Sequence, residues 1–95
     1  MNDVNQDRLP VKVTVSDIQS KIALTTYQVL EGTTVTICRI LLQNGFSVLG
    51  SSACVDPKEF NQALGEKYAY ERAFEKIWDL EGYLLKQRRY EAGLP

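Results

Sequence analysis

Among the side chains that commonly do chemistry, histidine is missing from all 95 residues. Its absence removes Ser–His and Cys–His nucleophilic pairs, imidazole metal ligands and the commonest general base together. Cys38 and Cys54 are the only thiols, too few to close a structural zinc site within one chain. Both stand among small or apolar neighbours, Thr36-Ile37-Cys38 and Ser52-Ala53-Cys54-Val55, and read as buried packing residues kept reduced. Glu71 and Glu75 are four apart, which puts two carboxylates on one helix face as paired acid–base catalysis would need. Arg72 and Lys76 follow them at once, so a salt-bridged, solvated face is the better reading. Asp, Glu, Lys, Tyr and Cys remain available for chemistry, but the inventory disfavours an enzyme and calls for no metal or cofactor. Positive charge gathers in one place. Lys86, Arg88 and Arg89 give residues 86–95 a net charge of +2 in a chain of net −1. That balance argues against a general binder of nucleic-acid polymers. The cluster either complements the end of a helix dipole or meets an anion.

The elements that must hold these residues are legible by pattern. A chain of this length with 44% apolar residues is one domain, read as residues 10–95 behind a loose polar tail at 1–9. Val11-Lys12-Val13-Thr14-Val15 alternates like a strand, but Ser16 and Gln19 make a capping-box pair before Ile18 and Ile22, which favours a short helix. Strand signals follow over Thr25–Leu30, Thr33–Leu42 and Phe46–Gly50, with Glu31-Gly32 and Asn44-Gly45 as turns. Asp56-Pro57-Lys58-Glu59 predicts a helix start with Asp56 as cap. Phe60, Leu64, Tyr68, Ala69, Ala73, Ile77, Leu80 and Leu84 then recur at helical spacing toward Tyr90. Gly65 weakens the first turns, and Asp79-Leu80-Glu81-Gly82 predicts a bend or a second helix end to end. The fold class is α+β: a short N-terminal helix, a three-stranded antiparallel meander and a long kinked C-terminal helix. Seven of the nine aromatics fall in the helical half, more than one side of a small sheet uses, so a homo-oligomer is expected. With no apolar leader and no run of about 20 apolar residues, the sequence predicts a cytoplasmic chain that does not cross a membrane.

Four blocks carry a family resemblance. Leu42-Gln43-Asn44-Gly45-Phe46-Ser47-Val48, Gly50-Ser51-Ser52-Ala53-Cys54-Val55-Asp56-Pro57, Ala69-Tyr70-Glu71 and Ile77-Trp78-Asp79-Leu80-Glu81-Gly82-Tyr83-Leu84-Leu85 resemble small tailed-phage proteins of the gene-49/gene-66-like family. The likeness covers residues 33–88. Proline is common in that family where Asp79 stands here. The family resemblance extends to Thoeris anti-defence sponges, which bind the cyclic ADP-ribose isomers that bacterial TIR enzymes make as an infection alarm. Some members also take up cyclic oligonucleotides, in assemblies up to hexamers. What the resemblance implies is a phage protein that acts in the infected cell. It would sequester a cyclic nucleotide signal without cleaving it, as a dimer or hexamer. The rivals are a small phage protein that binds and inhibits a host protein, and a minor enzyme acting on nucleotides.

A ligand of that kind has two phosphate charges, a flat adenine and several hydroxyls. It needs cations, an aromatic or guanidinium plane, and amides or carboxylates. Arg88 and Arg89 are the candidates for the phosphates, although neighbours on a helix point about 100° apart, so one of them faces a given pocket. Phe60, Tyr68 and Tyr70 are candidates for the base, with Tyr68 on a different helix face from Tyr70. Asn61 suits ribose or base edges, and Arg72 and Arg39 are further cations. The blander readings are a core Phe60, a solvated Asn61 and a solvated last turn. The head of the long helix is a poor phosphate site if Asp56 caps it, because a carboxylate already fills the free amides.

Overall fold

The computed structural model describes residues 9–95. The loose tail read over residues 1–9 therefore lies outside the described residues except for Leu9. Helix α1 spans Val15–Lys21, and its cap is Thr14 rather than Ser16. The Thr14 hydroxyl accepts from the Asp17 N–H at 3.1 Å, and the Asp17 carboxylate accepts from the Thr14 N–H at 2.8 Å. This reciprocal pair satisfies two otherwise orphaned donors. Ile18 is the buried residue of α1.

The chain passes straight into strand β1, Ile22–Val29, followed by β2, Thr36–Leu42, and β3, Ser47–Ser52. They form an antiparallel meander in the order β1-β2-β3. β2 starts three residues later than the β-branched run implied, because Thr33 is used in the turn. Its hydroxyl donates to the Leu30 carbonyl at 2.8 Å and accepts from the Val35 N–H at 3.1 Å. The second turn is longer than a two-residue hairpin. The Asn44 side chain accepts from the Phe46 N–H at 3.0 Å, and Gly45 alone takes a positive φ, +89°.

β2 and β3 alternate strictly, which turns Thr36, Cys38, Ile40, Leu42, Val48 and Ser52 to one buried face. Across that face lies α2, Gln62–Glu91, a single helix of 30 residues. It contacts the sheet through small residues. A Cβ on Gly50 would land on the Ala69 carbonyl and the Ala73 N–H, and one on Gly65 would sit 2.7 Å from Thr36 Oγ1. The buried part of α2 is only Ala69, Ala73 and Ile77. Leu64, Tyr68, Leu80 and Leu84 are exposed, contrary to the wide apolar stripe that spacing suggested. Length explains part of this. Thirty helical residues reach about 45 Å, whereas seven strand residues reach about 23 Å.

The helix also runs unbroken through Asp79-Leu80-Glu81-Gly82, so two helices end to end is not what forms. One interior glycine costs about 1 kcal/mol, too little to stop a helix already anchored on a sheet. A Lys21–Glu81 ion pair at 2.8 Å ties α1 to this stretch. No helix among the described residues is long and apolar enough to cross a membrane.

Candidate functional site

Asp56 does not cap the long helix. Its carboxylate accepts from the Lys58 N–H at 2.9 Å and caps a separate 3-10 turn, Pro57–Glu59. The backbone then extends through Phe60 and Asn61, and α2 begins afresh. Asn61 is the true N-cap, its side-chain oxygen accepting from the Leu64 N–H at 3.1 Å. The first turn of α2 carries no acidic residue, so a neutral amide rather than a carboxylate sits at the positive end of the helix dipole. The objection to this helix head as an anion-attracting place therefore falls away at Asn61. Glu59, on the rim, still disfavours a phosphate directly above it.

The interruption opens a cleft of about 210 Å³ between the head of α2 and the exit of β3. Phe60 and Tyr68 supply flat apolar walls, and Asn61 supplies an amide whose N–H groups are not used in capping. Ser52 and Thr34 complete it, but their hydroxyls already serve the fold. Ser52 donates to the Gly65 carbonyl at 2.6 Å, while Thr34 bonds both the carbonyl and the N–H of Cys54. Beneath them Thr36 Oγ1 is buried without a hydrogen-bond partner among the described residues.

Cys54 lines the cleft half-exposed, its thiol donating to the Asp56 carbonyl at 3.0 Å. It is not the buried packing residue its neighbours suggested, because the chain is leaving the sheet at that point. Cys38 is fully buried, and burial pushes its thiol above the ordinary range. It is a packing group rather than a nucleophile.

The structure thus brings Phe60 and Asn61 together and keeps the other candidates apart from them. Tyr70 lies elsewhere on α2, in a ladder where its ring is tilted against Phe74 at 5.6 Å and Phe74 in turn meets Trp78 edge-on at 6.2 Å. Burial raises its phenol. Tyr68, not Tyr70, faces the cleft. Arg72 Nη1 donates to the Ser51 carbonyl at 2.6 Å and so braces the β3 edge. Arg39 is exposed in the middle of β2, on the sheet face away from α2.

At the far end of α2, Arg89 clamps both ends of the described chain. It donates to the carbonyls of Pro95 (3.0 Å), Leu9 (3.1 Å) and Pro10 (2.9 Å). Arg88 is exposed and makes no hydrogen bond or ion pair with the described residues. Counting 1.5 Å per residue, Arg88 is about 40 Å along the axis from Asn61. Among the described residues no group of three or more Cys, Asp and Glu is placed to hold a metal ion.

Sequence spacing missed the cleft because its signal, a second cap at Asn61 five residues after Asp56, was masked by the stronger Asp-Pro start. These features define a small α+β domain, one long helix laid across a three-stranded meander, with an aromatic cleft at the helix head and free positive charge at its tail. Residues 13–89 match the model of the phage protein (N4 Gp49/phage Sf6 gene 66) family, and the chain belongs to that family. The match takes in α1 and β1 as well as the four motif blocks. No curated protein and no solved structure matches the chain.

Proposed function

We propose that this phage protein is an anti-defence sponge of the kind its motifs resemble. It binds a cyclic nucleotide signal, a cyclic ADP-ribose isomer or a cyclic oligonucleotide, and holds it intact. The observation that carries the reading is the cleft at the head of α2. Phe60 and Tyr68 offer flat faces for a base, and the free N–H groups of Asn61 offer donors for a base edge or ribose.

Size then decides how the rest of the ligand is held. A cleft of about 210 Å³ is smaller than the 300 Å³ or more of an ordinary small-molecule site. It accommodates a base or a sugar but not a whole dinucleotide with its phosphates. A second copy of the chain, reversed, supplies the missing wall, with Arg88 as the free phosphate ligand. Arg88 of the same chain is about 40 Å away and cannot serve. Arg89 is a positioning residue for the chain ends rather than a phosphate ligand.

Calorimetry with cyclic ADP-ribose isomers and cyclic oligonucleotides tests this directly. At least one should bind, be recovered chemically intact after denaturation, and shield Cys54 from thiol labelling. Phe60→Ala should weaken binding by about 1–3 kcal/mol, the cost of one lost base stack. Ligand recovered cleaved would make the protein an enzyme. If the native protein binds none of the compounds, the host-protein inhibitor is the better reading, favoured by Tyr83 and Tyr90, which stand 72% and 74% exposed on the tail of α2.

A further inference from the structure

β1 is an edge strand that nothing guards. α2 lies over β2 and β3, and no residue of β1 is buried. Along its outer side, alternate N–H and C=O groups point away from β2. Among the described residues, nothing outside the sheet bonds to the main chain of residues 23–29. Edges of this kind are normally protected by charge, proline or a bulge. Ile22–Val29 contains neither charge nor proline, and its one irregularity, at Ile22/Leu24, leaves Leu24–Val29 in regular register. The β3 edge differs, because Arg72 already occupies the Ser51 carbonyl.

Beside this edge α2 presents a flank that is both aromatic and acidic. The half-buried rings of Tyr70, Phe74 and Trp78, with Val15 of α1, line an open depression of about 410 Å³. Glu71 and Glu75 stand exposed on the same depression, and no described lysine or arginine lines it. The salt bridges to Arg72 and Lys76 that spacing suggested do not form. Arg72 is turned to β3, and Lys21–Glu81 is the one ion pair among the described residues. Two carboxylates four apart on a helix face repel each other. Tyr27 joins the depression to the strand. It lies on the helix side of β1 opposite Cys38 and is 40% exposed, and burial, then Cys38, Glu66 and Tyr70 nearby, raise its phenol. We infer that this face takes an extended, positively charged peptide segment of another protein. Its main chain adds to β1 as a fourth strand, and its lysine or arginine side chains reach over Tyr27 to the rings and to Glu71 and Glu75.

The two halves of the surface divide the work of recognition. The edge supplies main-chain hydrogen bonds whatever the sequence of the added strand, and the depression selects its side chains. Ring faces and carboxylates together favour a cation over a neutral or anionic group. Spacing calls for a long side chain. With strands about 4.8 Å apart, a helix seated over β2 and β3 has its axis about 12 Å to the side of a fourth strand. The helix and its own side chains take up about 5–6 Å of that. The methylene stem of lysine or arginine bridges the remainder while resting on the rings. A second copy of β1 brings no cation to this seam, because the strand is neutral and its own Glu71 and Glu75 come with it. A free organic cation uses the rings and leaves the edge open. The surface is separate from the cleft at the head of α2, and the pairing does not depend on any nucleotide ligand.

Capped hexapeptides titrated into the native protein test the pairing, read by the fluorescence of Trp78, the chain's single tryptophan, and by amide exchange. A peptide alternating threonine and lysine should bind, perturb Trp78 and protect the outward amides of residues 24–29. Its counterpart with glutamate in place of lysine should bind about tenfold more weakly or worse. Methylating the amide nitrogens of either the lysines or the threonines blocks one edge of the peptide. One of these two should lose about tenfold in affinity and the other should not. Glu71→Gln combined with Glu75→Gln, both at exposed positions, should weaken the lysine peptide by about fivefold or more. No binding, or binding indifferent to the double substitution, would overturn the inference. So would equal affinity for both methylated peptides, or spermine binding the depression as tightly as the peptide, which marks a site for small cations. Protection of residues 24–29 that grows with protein concentration alone, without peptide, places a second copy on the edge and also counts against it. If the double variant fails to fold, the methylated peptides on the native protein decide.

Discussion

Three side chains whose types invite a functional reading turn out to hold the backbone. Asn61 closes the head of α2, Arg89 gathers the two ends of the described chain, and Asp17 closes the box that starts α1. Asp17 has a consequence in pH. Hydrogen bonds from the backbone and hydroxyl of Thr14, with Lys21 nearby, hold its carboxyl below the usual 3.8. A carboxyl depressed in the folded state contributes stability above its unfolded value, and that contribution is lost as pH falls through the lower folded value. Melting temperatures followed from pH 6 to pH 2 should therefore fall more steeply below about pH 4 for the native chain than for Asp17→Asn. Parallel acid curves for the two proteins would show that the box has no weight in solution.

At the level of elements, the contact between α2 and the sheet depends on residues that are nearly absent as side chains. Gly50, Gly65, Ala69 and Ala73 let the helix lie close enough to seal Cys38, Ile40 and Ile77. Gly50→Ala would drive a methyl into helix backbone, which cannot yield as a flexible side chain does. Its cost should match or exceed the roughly 1–3 kcal/mol of ordinary overpacking. Gly65→Ala meets the Thr36 hydroxyl and should cost less, within that same range of about 1–3 kcal/mol. Gly82→Ala is the counterpart. Nothing lies within 4 Å of its added carbon, so it should stabilise the helix by about 0.5–1 kcal/mol. Urea titrations of the three variants check the ranking, and a destabilising Gly82→Ala would mean that the bend expected from Asp79–Gly82 matters after all.

For the whole molecule, the separation of Phe60 from Arg88 makes assembly part of the proposed function. If a site draws its base-stacking wall from one copy and its arginine from another, two inactive variants should repair each other. Phe60→Ala and Arg88→Ala, each weak in binding alone, should recover tight sites when unfolded together and refolded as mixed assemblies. In a mixed pair one site receives both native residues and the other receives neither. Calorimetry should then report about half the native stoichiometry at close to native affinity among mixed dimers. A site contained in one chain would show no recovery at any mixing ratio.

Local chemistry was enough to determine the class of this fold. The alternation of β2 and β3 and the glycine at position 45 each act over a few residues and point to the α+β meander, while the four motif blocks point to the phage family. Boundaries were less legible where two local signals competed, as Thr14 against Ser16 and Asn61 against Asp56. There the choice depends on which backbone amide is free once the neighbouring element has docked. What only the tertiary structure decided is the relation between distant residues. Whether Tyr68 or Tyr70 faces the cleft depends on the rotation of α2 about its axis, which Gly50 and Gly65 set by contact rather than by pattern. Whether Arg88 or Arg89 is free depends on where the chain ends return. That Cys54 is open and Cys38 sealed follows from the helix covering β2 and β3 as far as Ser52, whereas Cys54 lies past the end of β3, where the chain has left the sheet. Spacing along the chain carries none of this, because burial and distance are properties of the packed elements.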